Sequence, residues 1–168
     1  MDRYVFTKMR SPVGEIKLVA SEKGLSAIVW EFEDFSRVHL ENVIEDRDNA
    51  ILLETEKQLS AYFKGERNYF KLPLDLKGTA FQKSVWEALL SIPFGQTRTY
   101  GQIARQIGKP KAVRAVGAAA GKNPVAIIAP CHRVIGASGK LTGFAGGLHN
   151  KAILLNLENN PNTLKLPL

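Results

Sequence analysis

The chain of 168 residues has a single cysteine, Cys131, so no internal disulfide can brace it. It also lacks a long uncharged apolar run, and residues 1–20 show no basic-then-apolar leader pattern. A protein of the reducing cytoplasm, away from membranes, is the expectation. One cysteine and three histidines make a Cys/His zinc site hard to assemble, and neither metal nor cofactor is expected. Acid is scarce in the second half. Residues 79–168 contain only two carboxylates, Glu87 and Glu158, against eleven Lys and Arg, whereas residues 1–78 carry fourteen acids against twelve bases. The net charge of +7 therefore arises entirely in the C-terminal half. Such asymmetry suggests a polyanion-binding module joined to a near-neutral one, because each phosphate neutralised releases counterions.

What is present reads as two units. Residues 4–9, 15–20 and 25–32 are rich in Val, Ile, Phe and Trp and are separated by Ser-Pro-Val-Gly and Ser-Glu-Lys-Gly turns. That pattern predicts an antiparallel meander. Residues 35–48 are charged and irregular, and 50–64 carry Ile51, Leu52, Leu59, Tyr62 and Phe63 at roughly helical spacing, with a stop at Gly65. Residues 72–75 look like a linker. Beyond it the periodicity becomes helical: Thr79-Ala80-Phe81-Gln82 has the capping-box form, and Phe81, Val85, Trp86, Leu89 and Leu90 trace an apolar stripe. A second helix is expected over 99–107, a turn at Gly108, and a third helix from Pro110. The fold expected is an α/β domain over residues 1–77, an antiparallel sheet with a helix. A mainly α domain containing a helix-turn-helix follows over 78–168.

On the third helix, Val113, Val116 and Ala120 share one side with Ala112 and Ala119, which reads as core. The other side carries Lys111, Arg114, Gly117, Ala118 and Gly121. Two cations among residues with almost no side chain would let the backbone lie close to a grooved polyanion while Arg114 projects beyond it. Packing on another helix is the alternative use of the small residues.

Residues 123–130 are apolar and framed by Pro124 and Pro130, and Cys131-His132-Arg133 follows abruptly. A thiol near its ordinary pKa of about 8.5 is only a few per cent ionised at neutral pH, so a nucleophilic Cys131 needs activation. In an extended segment His132 would face away from Cys131, leaving a bridging water to carry the proton. A carboxylate behind the imidazole would stabilise its cationic form, and the C-terminal half offers Glu87 and Glu158, the latter following the apolar stretch 153–157. These residues also allow a cysteine hydrolase, or a helix-turn-helix regulator whose cysteine is incidental.

Pro130-Cys131-His132-Arg133-Val134 resembles the active-site signature of the O6-alkylguanine-DNA alkyltransferases, the methylated-DNA-protein-cysteine methyltransferases. Gly78-Thr79-x-Phe81-Gln82-x-x-Val85-Trp86, Ile92-Pro93-x-Gly95, Thr99-Tyr100-Gly101-x-Ile103-Ala104, Arg114-Ala115-Val116-Gly117, Asn123-Pro124 and Gly143-Phe144-Ala145-Gly146-Gly147-Leu148 are similar to family segments in family order. The resemblance implies a ribonuclease-H-like N-terminal domain and a monomer acting on double-stranded DNA that carries alkylated bases. Cys131 would accept the alkyl group once and irreversibly, activated by His132 through water with Glu158 orienting the ring. Tyr100 would supply a proton to the departing base, and Arg114 would fill the space of a nucleotide flipped out of the duplex. Lys111, Gly117, Ala118, Ala120 and Gly121 would complete the DNA-facing surface. Asn123 would hold the turn before the cysteine, and Val134, Phe144, Ala145 and Gly146 would line the pocket. Two residues depart from the common pattern: Phe144 stands where many members have tyrosine, and Ala120 where some have a larger apolar residue.

Overall fold

A computed structural model of the chain describes residues 3–139 and 143–159. The chain divides into two compact units, Met1–Lys77 and Gly78–Leu168. Residues 140–142 and 160–168, within the expected C-terminal domain, lie outside the described residues.

In the first unit β1 (Val5–Ser11), β2 (Gly14–Ala20) and β3 (Leu25–Val29) form the expected antiparallel meander. The first hairpin reverses through Pro12 and Val13, and Gly14 takes a φ of +94° that a side chain would resist. Within residues 35–48, expected to be irregular, a two-residue strand β4 (Ile44–Glu45) pairs parallel to β1, giving the sheet order β3-β2-β1-β4. The preceding stretch is ordered by burial: Phe35, Val38, Leu40 and Val43 pack on Tyr4, Val19, Ala27 and Val29 across one sheet face. The other face is covered by α1 (Ala50–Phe63), which buries Leu52, Leu59, Tyr62 and Phe63, while Ile51 is only half-buried. Asn49 caps that helix by accepting from the Leu52 N–H, and Gly65 beyond its end takes a φ of +75°.

Residues 72–75 do not act as a free linker. The Leu25 N–H donates to the Pro73 carbonyl at 2.8 Å, the Asp75 N–H donates to the Leu25 carbonyl at 2.9 Å, and Ser21 Oγ donates to Asp75 Oδ2 at 2.6 Å. Proline suits this edge position, where it supplies a carbonyl and needs no N–H. The approach is close enough that a Cβ on Gly24 would sit 2.6 Å from the Pro73 oxygen.

The second unit begins with α2 (Ala80–Leu90), whose Thr79–Gln82 capping box forms as expected. Its inner row is Val85, Trp86, Ala88 and Leu89, and Leu90, expected in the stripe, is 42% exposed because Leu89 already points inward one helical step before it. The strand β5 (Arg98–Thr99) leads into α3 (Tyr100–Gln106), which has its own capping box between Thr99 and Gln102. Gly108 turns the chain at a φ of +77° and α4 (Val113–Gly121) follows, completing the helix-turn-helix. Helices α2, α3 and α4 pack on one another. Trp86 Nε1 donates to the Ala119 carbonyl at 2.9 Å, sharing that acceptor in the last turn of α4 with the Lys122 N–H. After the cysteine segment, β6 (Val134–Ile135) pairs parallel with β5, and α5 (Leu148–Asn159) closes the unit.

Replacing Thr79 by Ala removes the cap and is expected to cost about 1 kcal/mol of stability. Gly24→Ala forces the sheet edge away from Pro73 and should cost roughly 1–3 kcal/mol. Urea denaturation tests both, as a lower midpoint at unchanged slope. An unchanged midpoint for Gly24→Ala would show that the edge yields freely.

Candidate active site

Cys131 lies in a 3₁₀ turn, Cys131–Arg133, and not in the extended strand that the sequence suggested. The cause is Pro130, whose φ of −80° and ψ of 68° make an inverse γ-turn in which the Cys131 N–H donates to the Ala129 carbonyl at 2.8 Å. The alternation of side chains expected of a strand therefore does not apply to Cys131 and His132. Asn123 closes the loop ahead of the turn: its Oδ1 accepts from the Val125 N–H at 3.0 Å and its Nδ2 donates to the Ala129 carbonyl at 2.7 Å. Between these anchors Ile127 takes a φ of +77°, a conformation that costs a β-branched residue on the order of 1–3 kcal/mol. Its side chain is fully buried, which offsets that strain. The thiol is thus held on an over-determined loop, 8% exposed.

His132 is wholly buried, and its Nε2 lies 2.6 Å from Glu158 Oε2. Its Nδ1 is buried with no hydrogen-bond partner among the described residues. An imidazole placed this way gives Nε2–H to the carboxylate and leaves Nδ1 as an acceptor. Burial is the chief influence lowering the His132 pKa; Glu158 pulls the other way, and Arg133 and Lys151 reinforce burial. For Glu158, burial opposes ionisation, but His132 and Arg133 outweigh it and bring its pKa down to about 2. A neutral imidazole beside an ionised carboxylate results.

Two buried cations complete the cluster: Arg133, which the sequence sets beside the thiol as a positive neighbour without showing its partner, and Lys151, which sequence reasoning missed. Arg133 donates from Nε to Glu158 Oε1 at 2.7 Å, from Nη2 to Glu158 Oε2 at 3.0 Å and from Nη1 to the Ile92 carbonyl at 2.6 Å. Lys151 is fully buried; its Nζ donates to the Val134 carbonyl at 2.6 Å and lies 6.0 Å from the centre of the Phe144 ring. Burial lowers the Lys151 pKa and the charge of Cys131 works against that shift. A spacing signal existed, since Lys151, Leu154 and Glu158 fall on one helical face of α5, but lysine on a helix ordinarily reads as solvated.

The other expected site residues fall in two places. Val134 is buried beside the cysteine turn; Phe144 and Ala145 are half-buried and Gly146 is buried in the stretch that enters α5, where Asn150 Nδ2 donates to the Gly146 carbonyl at 2.9 Å. Tyr100 opens α3 directly after the β5–β6 pairing, and a Cβ on Gly117 would meet its ring at 3.8 Å, so α4 passes close by. On α4 itself Arg114, Ala118 and Gly121 are exposed and Gly117 half-buried, with Lys111 exposed just before the helix. Ala120 belongs instead to the inner row with Val116 and Ala119, at 7% exposure. The helix starts later than Pro110, because the Ala112 N–H turns back to the Lys109 carbonyl, and Val113, expected in the core, is 40% exposed in the first turn. Among the described residues no three His, Cys, Asp or Glu side chains group in a way that could hold a metal ion.

Comparison with known proteins matches residues 4–76 to the 6-O-methylguanine DNA methyltransferase ribonuclease-like domain and residues 80–160 to the DNA binding domain of the same proteins. The chain belongs to the 6-O-methylguanine DNA methyltransferase family. Within this family it is 50% identical over 153 residues to the methylated-DNA--protein-cysteine methyltransferase of Methanosarcina mazei, covering 90% of this chain and 95% of that protein. It is 64% identical over 103 residues to the Mycobacterium tuberculosis protein of the same name, covering 61% and 62% of the two chains. A crystal structure of Mycobacterium tuberculosis OGT in complex with DNA superimposes with a TM-score of 0.83 at 49% identity, covering 94% of this chain and 93% of that one. The family membership implied by the motif series is thereby established, together with its fold of an N-terminal sheet-and-helix domain and a helical C-terminal domain.

In this family member, a buried neutral histidine and a buried ionised carboxylate both tie stability to acid. The unfolded chain binds a proton at His132 below about pH 6.5 that the folded site refuses, so stability falls as pH drops through that range. Glu158, with its folded pKa depressed from 4.5 to about 2, adds a second loss below pH 4.5. Urea midpoints measured between about pH 7 and 5 should decline in the parent and decline less in His132→Gln. Parallel curves would show that the folded site takes the His132 proton as readily as the unfolded chain does, and a parent that gains on the variant as pH falls would show His132 protonated in the fold.

Proposed function

We propose that the protein repairs alkylated DNA by direct reversal, taking the alkyl group of O6-alkylguanine, and also that of O4-alkylthymine, onto Cys131. The observation that carries this reading is the turn Cys131–Arg133, where the lone thiol and a buried imidazole are adjacent and Glu158 stands 2.6 Å behind the ring. In the reaction His132 Nδ1 accepts the thiol proton through a bridging water. The sulfur electron pair attacks the alkyl carbon, an S–C bond forms as the C–O bond breaks, and the bond electrons pass to the guanine oxygen. Tyr100 gives the base a proton as it leaves, so no free guanine anion accumulates. Lys151 adds positive charge near the sulfur while the thiolate exists. No group in the cluster is suited to cleave a thioether, and the protein turns over once.

The target atom lies inside a stacked duplex, and extruding its nucleotide costs a few kcal/mol. The exposed face of α4 is suited to drive that extrusion, since Gly117, Ala118 and Gly121 permit close approach to a minor groove, Arg114 fills the vacated space, and Lys111 meets phosphate. No side chain caps the N-terminus of α4, which leaves its first N–H groups for phosphate oxygens. Carbonyls of Cys131 and Val134 receive the base amine on their second lone pairs, and Phe144, Ala145 and Gly146 wall the pocket. Residues 78–168 thus form the DNA-binding and acceptor domain, and residues 1–77 a separate α/β domain. Among the described residues no helix is long and apolar enough to cross a membrane, and a free thiol accords with the reducing cytoplasm.

Incubation with duplex DNA containing O6-methylguanine should add one methyl mass to the Cys131 peptide and to no other. An unmodified Cys131 peptide after the lesion has been consumed would overturn the mechanism, and repeated turnover would point to a hydrolase. Arg114→Ala should lose about tenfold or more on duplex substrate, as expected when part of the unstacking cost is no longer offset, yet react normally with the free modified base. Equal losses on both substrates would remove Arg114 from the flipping role.

A further inference from the structure

Glu158 is bonded on both oxygens, and its partners differ in kind. His132 can lose its proton near neutral pH, whereas the Arg133 guanidinium is permanently charged. Arg133 grips the carboxylate with a two-point fork, Nε to Oε1 at 2.7 Å and Nη2 to Oε2 at 3.0 Å, and is itself anchored through Nη1 to the Ile92 carbonyl at 2.6 Å. Phe94, two residues further on, lies with its ring centre 5.8 Å from the guanidinium carbon. Three separate stretches of the C-terminal unit therefore meet at this one side chain: the end of α2, the cysteine turn and α5. That effort is larger than a structural ion pair needs, since a buried pair is often no more stabilising than an apolar substitute.

The charge balance explains what the fork does. The charged and titratable groups facing the His132 ring are Glu158 and Lys151 from α5, Arg133 from its own turn, and the adjacent Cys131. With only His132 as partner, a buried Glu158 anion would draw a proton onto the imidazole to form an ion pair, and both ring nitrogens would then be donors. With Arg133 in place the anion is already neutralised, and a second cation on the same carboxylate is repelled.

Building on the reading of Cys131 as the alkyl acceptor, we propose that Arg133 is a positioning residue for the transfer: by clamping both oxygens of Glu158 it fixes His132 as the neutral Nε2–H tautomer, so that Nδ1 remains able to take the thiol proton. The absence of any partner on Nδ1 among the described residues and the 2.6 Å contact at Nε2 are the geometry this arrangement requires.

The test uses the full-length protein in two measurements. Imidazole ¹⁵N shifts of the parent should report His132 as the neutral Nε2–H form from about pH 8 down to about pH 6; an imidazolium at pH 7, or an Nδ1–H tautomer, would overturn the proposal without needing any variant to fold. Single-turnover transfer from the free modified base is then followed against pH in the parent, Arg133→Met and Arg133→Lys. Arg133→Met should lose roughly tenfold more rate than the parent between about pH 8 and pH 6, as a stronger base holds its proton to higher pH. Arg133→Lys keeps the charge and should retain the parent's pH profile at a lower plateau, because one ammonium cannot span both oxygens. A pH profile of Arg133→Met superimposable on the parent's would assign Arg133 to structure alone. Failure of the parent itself to alkylate Cys131 would instead defeat the underlying functional reading, so the two failures are distinguishable.

Discussion

A buried carboxylate with too few neighbours of its own sign organises the C-terminal unit. Glu158 sits at the end of α5 and is almost inaccessible to water, so its charge must be balanced by groups brought to it. Arg133 supplies the opposite charge and His132 a hydrogen bond from the same turn, and Arg133 carries the link onward to the end of α2. Because the two bases are consecutive residues, the carboxylate fixes the direction of the whole 3₁₀ turn, and with it the place of the thiol one residue earlier. Loss of the anion would leave a buried guanidinium without its partner, a larger penalty than loss of an exposed ion pair.

The approach to that turn is governed by backbone geometry more than by charge. Asn123 ties the loop across six residues, Pro130 bends it tightly, and Ile127 is kept in the left-handed region by the packing around it. Residues held in such conformations persist only where their surroundings over-determine them. The β5–β6 pairing adds a second constraint by placing the start of α3, and so Tyr100, beside the segment that leaves the cysteine turn. Cys131, His132 and Val134 are thereby held in fixed places by backbone constraints that a flexible loop would lack.

Elements with strong local chemistry were legible in the sequence. Thr79 and Gln82 marked the start of α2, Gly65 and Gly108 marked turns, and the three meander strands came from period and turn residues alone. Less legible were features decided by distant partners. β4 is two residues long and exists because β1 offers an open edge. Residues 72–75 look like a linker until Leu25 and Ser21 are seen to bond them. Pro110 suits the first turn of a helix, yet the bond from Ala112 to the Lys109 carbonyl delays α4 to Val113. In the site, the cysteine and histidine were readable from their types, and Glu158 was one of two candidate carboxylates until the motif series singled it out. The burial of Arg133 and Lys151 was not readable, since a cation next to apolar residues gives no sign of being buried until its acceptor is known.

The burial of Glu158 also changes what the protein presents to the outside. Of the two carboxylates in residues 79–168, one is withdrawn from the surface, and only Glu87 remains to interrupt a field set by lysines and arginines. A polyanion near such a surface meets one exposed side-chain carboxylate among many cations, so attraction outweighs repulsion. Such attraction weakens as salt competes for the charges of the polyanion. Burying that acid thus also makes the outer charge of the unit more nearly of one sign.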